Sequence, residues 1–441
     1  MGVRRNLVVG LGKSGVSAVR FLRAQGEAVA VTDSRASPPG LDALGALREG
    51  LVLHAGGFDA SLLEQTDRVV LSPGVSRAEP LIQEALRRGI AVLGDIELFA
   101  RATRAPTVAI TGTNGKSTVT TLVAEMARAA GRRVLAGGNL GEPALDLLAQ
   151  PAPELYVLEL SSFQLESTDS LELLAAAVLN LTPDHLDRYA SLSEYGAAKA
   201  RIFMHAATAV VNLDDPAVVG MPRAGQRRVG FSLRRADADF SLVQVAGNAW
   251  LARAGEALLP LADLRLPGLH NAANALAALA VGTAAGLAVE PMLATLRSFT
   301  GLAHRSQWVA ERRGVRFIDD SKGTNVGATL AAVEGLGGPI VLIAGGDGKG
   351  QDFTPLAAAF RGKVRHVVLI GRDRARLAAV LEGVCTTEFA ADMDEAVRAA
   401  ARAARPGELV LLSPACASLD MYRDYAERGD RFAAAARRLD A

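Results

Sequence analysis

The chain has 441 residues, half of them hydrophobic, and a formal net charge of +1. That length allows two to four domains with sizeable cores, and the near-zero charge excludes a global attraction for nucleic acid or an anionic membrane. Two cysteines, Cys385 and Cys416, give neither a disulfide framework nor metal-ligand spacing, and no apolar run is long enough to span a bilayer.

The expectation is therefore a soluble cytoplasmic protein of a reducing compartment, with no nucleic-acid partner and no membrane partner. Of the 48 basic side chains only six are lysine: Lys13, Lys116, Lys199, Lys322, Lys349 and Lys363. Where a bare positive charge suffices the chain uses arginine, so these lysines are candidates for work that a guanidinium cannot do.

In chain order, residues 6–10 read as a short apolar strand, followed by Gly10-Leu-Gly12-Lys13-Ser14-Gly15, a helix to about Gln25, and a second strand, 28–32, ending at Asp33. A Gly-x-Gly-x-x-Gly turn with an acid at the end of the next strand can seat a pyrophosphate and a ribose. Taken alone it points to an NAD-dependent dehydrogenase. Strands at 68–71 and 90–93 continue an α/β domain, Ser72-Pro-Gly74 closes the first of them, and 101–106 reads as a linker.

A phosphate-binding loop comes next. The β-branched run 108–111 reads as a buried strand, Gly112-Thr113-Asn114-Gly115 as a tight turn, and Lys116-Ser117-Thr118 as the start of a helix running to about Ala130. Glycines let backbone N–H groups converge on an anion, the helix start adds partial positive charge, Lys116 reaches the β- and γ-phosphates, and Ser117 ligates Mg²⁺. The match is incomplete, since Ile110 stands where the general pattern has glycine.

Strand 133–138 then runs into Gly138-Asn139. Strand 155–160 carries one charge, Glu159, before Ser161-Ser162-Phe163-Gln164. A lone carboxylate on an apolar strand is costly unless it is paired or bound to a cation. Strand 176–181 ends near Asp184-His185, and a helix from about Ser193 carries Lys199. Residues 226–255 read as short strands of an antiparallel appendage. The run from Pro267 opens a helix with Asn271 and Asn274 on one face, and the Ala-rich 272–288 stretch reads as packed helix. From Gly301 a further doubly wound sheet is expected. Its strands 316–318 and 340–344 end in Asp320-Ser-Lys322-Gly-Thr324 and Gly345-Gly-Asp-Gly-Lys349, and strands 366–370 and 409–412 come after them.

Seven stretches together, Thr111 to Thr118, Glu159 to Gln164, Asp184 to Tyr189, His270 to Asn274, Asp320 to Lys322, Gly345 to Lys349 and Ser413 to Asp420, resemble the Mur ligases, the ATP-dependent amino-acid ligases of peptidoglycan precursor synthesis. The resemblance covers essentially the whole chain. It implies an α/β, three-domain fold: a Rossmann-like domain (1–97) for a UDP-sugar, a central P-loop ATPase-type domain (98–300) for ATP, and a Rossmann-like C-terminal domain (301–441) for the amino acid. It also accounts for Ile110 and gives the glycine turn of the first domain a UDP-sugar to hold, leaving an NAD-dependent dehydrogenase as a remote alternative.

The implied reaction joins D-glutamate to UDP-N-acetylmuramoyl-L-alanine through an acyl phosphate, with ATP and two Mg²⁺ ions, in a monomer acting on small molecules. Other members of the family, or a folylpolyglutamate synthetase adding a different amino acid, are the alternatives. The resemblance further implies catalytic roles for Lys116, Glu159, His185, Lys199 and Lys322. Metal ligands would be Ser117, Glu159, His185 and Lys199, the last as a CO₂-derived carbamate. Residues 112–118, Asn271, Asn274, Arg305 and Asp320 would contact ATP. Gly12, Lys13, Ser14, Asp33, Ser34, Arg35, Gly74, Asn139, Ser161 and Gln164 would contact the UDP-sugar, and Thr324, Lys349, Ser418 and Tyr425 the D-glutamate. Lys13 stands where the family commonly has an apolar residue, and Tyr425 where it often has Phe; the role of Lys13 is read from its charge.

Overall fold

A computed structural model describes residues 4–266, 268–336 and 338–439. Pro267, which opens one of the motifs above, and the ends of the first and last expected domains lie outside the described residues. The chain divides into two compact units. One holds the residues up to Asn180 with Ser193–Phe240 and Ala277–Thr295; the other holds Leu181–Leu192, Ser241–Leu276 and the residues from Leu296 onward.

The first unit contains two sheets. In the N-terminal one, strands β1 (Arg5–Val9), β2 (Ala28–Asp33), β3 (Val52–Ala55), β4 (Arg68–Leu71) and β5 (Ala91–Gly94) lie in the order β3-β2-β1-β4-β5, all parallel. Apolar side chains of β1 and β4 (Leu7, Val9, Val69, Leu71) pack with Leu81, Ile82 and Ala85 of helix Pro80–Arg87 into a core. The order reverses between β1 and β4, so the glycine turn after β1 and Ser72 after β4 meet at the switch point of the sheet. Gly15 must be glycine there, because a Cβ would sit 2.1 Å from the Gly10 carbonyl oxygen. The edge strand β3, mostly exposed and short, carries no apolar alternation, which is why the sequence does not announce it.

The second sheet of this unit runs β11-β10-β9-β6-β8-β7, with β6 (Thr107–Thr111), β7 (Val134–Gly138), β8 (Leu155–Glu159), β9 (Leu173–Val178), β10 (Ala206–Asn212) and β11 (Arg227–Ser232). Three expectations from the sequence are corrected by this sheet and its approach. The strand expected at 176–181 is β9 and ends at Val178, because Leu179 and Thr113 take up the backbone partners beyond it. β11 pairs in parallel with β10 and so belongs to this sheet, not to an antiparallel appendage. The expected linker begins inside a helix, Asp95–Ala102, whose last turn holds Arg101.

β12 (Phe240–Val245), whose first residue closes a segment of the first unit, is followed in the second unit by β13 (Asn248–Arg253) and β14 (Glu256–Pro260), which are antiparallel. The C-terminal sheet has the order β15-β16-β20-β17-β18-β19, built from β15 (Gln307–Arg312), β16 (Val315–Asp319), β17 (Ile340–Gly345), β18 (Val364–Ile370), β19 (Thr386–Phe389) and β20 (Leu409–Leu412). Only the β15/β16 pair is antiparallel. Its two faces bury separate cores, one against helices Val326–Gly335 and Thr354–Phe360, the other against helices Met393–Ala403 and Tyr425–Arg438. Among the described residues no helix is long and apolar enough to cross a membrane.

Candidate active site

In each sheet the polar motifs lie beyond strand C-termini, so neighbouring strands bring them together. After β6, the turn 112–115 leads into helix Lys116–Ala129, with Gly115 at its N-cap in the left-handed region (φ 84°). The turn is braced by the end of β9. Thr113 N donates to Asn180 O (3.0 Å), Asn114 N donates to Asn180 Oδ1 (2.8 Å), and Asn180 Nδ2 donates back to Asn114 O (3.0 Å). Asn180 was not singled out from the sequence, although an amide at the end of a strand facing a glycine turn was a usable signal. Ser117 and Thr118 are buried.

Two lysines converge on this turn. Lys116 Nζ donates to Gly112 O and Thr113 O, both at 2.9 Å, and Lys199 Nζ donates to the same Gly112 O at 2.8 Å. Lys199 is 1% exposed and its ammonium lies 4.5 Å from the centre of the Tyr195 ring. Two ammonium groups sharing one acceptor in a buried place repel each other.

Glu159 closes the C-terminal end of β8, beside β6, and is 2% exposed. Its Oε1 accepts from Asn139 Nδ2 at 2.6 Å, while its Oε2 is buried without a hydrogen-bond partner. An orphaned buried carboxylate oxygen is costly, and a cation is the partner that removes the cost. A single carboxylate, without a cluster of three His, Cys, Asp or Glu among the described residues, fits Mg²⁺, which takes one or two protein oxygens and fills its shell with water and phosphate.

The residues expected to hold the UDP-sugar divide into two kinds. Lys13, Ser34, Arg35, Gly74 and Asn139 are exposed, and Gly12, Ser14 and Ser161 half-buried, at strand ends where a ligand reaches them. Asp33 and Gln164 are buried and their side chains are occupied within the protein. Asp33 accepts from Leu11 N (2.7 Å), from Arg35 N (2.8 Å) and from the Arg35 guanidinium (2.6 and 2.9 Å). Burial pushes its carboxyl up, and the Arg35 side chain with the two backbone N–H groups more than offsets this, leaving it at about 2. Gln164 Oε1 accepts from Ser161 N (3.1 Å), closing a capping box, and Gln164 Nε2 donates to Asp95 (3.1 Å).

In the second unit three loops extend from the adjacent strands β16, β20 and β17. Asp320 Oδ2 accepts from Ser413 Oγ (2.7 Å) and Oδ1 from Ser306 N (3.1 Å); burial pushes this carboxyl up to about 7 against those bonds and the Arg305 charge. Lys322 Nζ sits 4.0 Å from the centre of the Tyr425 ring. Thr324 is half-buried and Ser418 buried. Asp184 joins a further pair: its Oδ2 accepts from Asn325 Nδ2 (3.2 Å) and its Oδ1 lies 3.5 Å from Lys349 Nζ. His185 N donates to Asp184 Oδ1 (2.9 Å). Asn271 Oδ1 accepts from Asn274 Nδ2 at 3.3 Å, so the two amides do face one way on helix Leu269–Ala284. His185, His304 and Lys349 have φ of 55°, 62° and 49°. Left-handed non-glycine residues cost on the order of 1–3 kcal/mol each and gather at functional sites.

Sequence reasoning assigned nothing to the His304–Asp319 pair (Nδ1···Oδ2 2.7 Å), which lies between Arg305 and Asp320 on one side and Gly429 of the last helix on the other. A Cβ on Gly429 would sit 2.2 Å from the imidazole. The Asp319 hydrogen bond raises the imidazole pKa, burial opposes it, and the charges of Asp319, Asp430 and Asp424 add to the rise. A raised folded pKa makes the pair's stabilisation complete below the unfolded histidine value of about 6.5 and lost as pH climbs through the folded value. His304→Gln should therefore flatten the fall in urea stability as pH rises above the unfolded histidine value of about 6.5. Equal falls in the two proteins would remove this role.

Comparison with known proteins agrees with the arrangement. Residues 4–94 match the Mur ligase MurD-like N-terminal domain, 110–282 the Mur ligase middle domain, and 304–416 the Mur ligase glutamate ligase domain. A UDP-N-acetylmuramoylalanine--D-glutamate ligase of Nitrosococcus oceani is 52% identical over 437 residues, 98% of this chain and 96% of the relative. The chain belongs to the Mur ligase family. Two solved Mur ligases of Thermotoga maritima share the three-domain α/β fold. UDP-N-acetylmuramate-alanine ligase MurC has a TM-score of 0.62 at 20% identity, covering 98% of both chains. MurF ligase in complex with ADP has a TM-score of 0.61 at 16% identity, covering 98% of this chain and 95% of that one. Within the Mur ligase fold, the first segment covers the N-terminal sheet, the second runs from β6 through β14 into helix Leu269–Ala284, and the third begins at His304 beside β15.

Proposed function

We propose that this chain is an ATP-dependent ligase that adds D-glutamate to UDP-N-acetylmuramoyl-L-alanine in peptidoglycan precursor synthesis. The observation that carries the reading is 52% identity along nearly the full length of a relative bearing that activity in its name. The domain assignment accompanies it: residues 1–97 take the UDP-sugar, 98–300 ATP, and 301–441 the amino acid.

The alanine carboxylate of the acceptor attacks the γ-phosphate of ATP, and the amine of D-glutamate then displaces phosphate from the acyl phosphate. Both steps bring anions together, so cations are the main need. Lys116 holds the β- and γ-phosphates, Ser117 and Glu159 are the residues to hold one Mg²⁺, and His185 is the residue to hold a second. Bound there, Mg²⁺ would neutralise charge between phosphate oxygens and the attacking carboxylate. The orphaned Oε2 of Glu159 supports that assignment. Lys199, as a neutral amine, adds its nitrogen lone pair to the carbon of CO₂ and loses a proton, giving an N-carboxylate beside Lys116. Asn271, Asn274, Arg305 and Asp320 contact the nucleotide. Lys322, Thr324, Lys349, Ser418 and Tyr425 serve the incoming amino acid.

The test is ADP formation with each substrate omitted in turn and with a panel of amino acids. Release is expected only with ATP, UDP-N-acetylmuramoyl-L-alanine and D-glutamate together; equal release with another amino acid overturns the D-glutamate assignment. A narrower outcome concerns Lys349, held beside Asp184. Lys349→Ala should raise the KM for D-glutamate by about tenfold or more while leaving that for ATP nearly unchanged, since a substrate carboxylate loses a charged partner. A larger effect on ATP would move Lys349 to the phosphate site.

A further inference from the structure

Asp95 opens the helix after β5 and is 2% exposed. Among the described residues it makes no ion pair, which is unusual for a buried carboxylate. It accepts instead from Gln164 Nε2 at 3.1 Å and from Ile96 N at 3.0 Å. Asp95 follows β5 of the N-terminal sheet and Gln164 lies in the loop after β8, so one carboxylate ties the N-terminal sheet's last helix to a loop of the central sheet, with the Ser14 side chain of the glycine turn close enough to favour its charged form. All these residues belong to the same compact unit. Gln164 cannot easily turn its amide over, because its Oε1 is engaged by Ser161 N and its Nε2 must then face Asp95.

We propose that Asp95 is a positioning residue for the UDP-sugar substrate, holding the loop at Gln164 and Ser161 against the start of the helix after β5 so that the substrate-facing ends of the two sheets are kept in register. This rests on the ligase reading above, in which the glycine turn after β1 and the loop at Ser161 face the UDP-sugar, with Gln164 acting through Asp95 and Ser161 rather than on the substrate itself. The alternative is a purely local role as an acid in the first turn of a helix, stabilising the helix dipole. Burial pushes the Asp95 carboxyl up, against its hydrogen bonds and the nearby Ser14 side chain, so the chain retains it at a cost that a helix-end acid open to water would not incur.

The polarity of the Asp95–Gln164 bond supplies a test that a local role does not pass. Asp95→Asn turns an amide NH₂ toward the amide NH₂ of Gln164, and Gln164→Glu sets two carboxylates face to face. Together, Asp95→Asn and Gln164→Glu restore one donor and one acceptor with the direction reversed and the net charge unchanged. Steady-state kinetics of the full-length protein should show the KM for UDP-N-acetylmuramoyl-L-alanine raised by about tenfold to a hundredfold in each single variant, as expected for a lost charged hydrogen bond. The KM for ATP should stay within about twofold, and the double variant should return to within about threefold of the wild type. Where a single variant is too unstable to assay, the double variant against wild type decides alone. A double variant with the substrate KM still raised, or single variants that lower thermal stability while leaving the KM unchanged, overturn the proposal. Failure of the ligase reading is distinguishable, because it appears as absent turnover in the wild-type protein.

Discussion

Lys199→Arg should lower turnover by about a hundredfold or more, the scale on which removing one preorganised charged group from an active site acts. Arginine keeps the positive charge but cannot form a carbamate, because its guanidinium stays protonated. Lys199 has little room for a permanent cation: it is almost wholly buried and shares the Gly112 carbonyl with the ammonium of Lys116. As a carbamate it would carry the opposite sign, turning that repulsion into attraction and providing an oxygen that can support a metal ligand. Lys199→Ala should regain part of its activity with acetate or formate, either of which can take the place of the lost carboxylate. Lys363→Arg, at an exposed position outside every motif, should be almost silent. An active Lys199→Arg enzyme with no response of Lys199→Ala to acetate would falsify the carbamate and leave Lys199 as a structural brace of the phosphate loop.

Glu159→Gln should lose about a hundredfold to a thousandfold in kcat while unfolding, without Mg²⁺, no more readily than the wild type. The two halves of that expectation come from the same atom. In the absence of a cation, the buried Oε2 has no partner, so a charge held there is a cost to the fold. Replacing it by a neutral amide removes the charge and retains an acceptor for Asn139, which donates to Oε1 at 2.6 Å. In the presence of the cation and ATP the same change removes a ligand. Thermal unfolding with and without Mg²⁺, measured beside kcat, separates the two contributions. Near-normal turnover in Glu159→Gln at saturating Mg²⁺, or a fold clearly weakened in its absence, would show that the carboxylate serves packing rather than a metal.

Much of this site is readable in the sequence for a physical reason. Buried parallel strands are short apolar runs, and the chain beyond each C-terminus must turn sharply, so glycines and isolated polar residues stand out against the strands before them. That is how Gly112 to Thr118, Glu159, Asp320 to Thr324 and Gly345 to Lys349 are visible from composition alone. Of the strands that escaped, β10 is a buried apolar run like the others, whereas β3, β15 and β19 have no such contrast. The exposed edge strands β3 and β19 lack apolar alternation, and β15 mixes an exposed Trp308 with charged neighbours. The least legible residues are those whose role depends on distant partners. Asp95 meets Gln164 across 69 positions, Asn180 meets Asn114 across 66, and Arg428, fully buried, donates to Ser321 across 107. No local pattern reports such a pairing; each shows only as an ordinary polar residue at an element end. Asp33 and Gln164 sit within motifs that suggest ligand contact, and their side chains also have partners within the chain, Arg35 and Leu11 for the one and Ser161 and Asp95 for the other, which the motifs do not announce.

Activation of the acceptor carboxylate by phosphoryl transfer, before D-glutamate attacks, can be followed by the fate of a single oxygen atom. UDP-N-acetylmuramoyl-L-alanine labelled with ¹⁸O in its alanine carboxylate is turned over with ATP and D-glutamate, and the released phosphate is analysed by mass spectrometry. An acyl phosphate bridges the two through a carboxylate oxygen that leaves with phosphorus, so one ¹⁸O is expected in each phosphate formed and one glutamyl product for each ADP. Phosphate without label would contradict it.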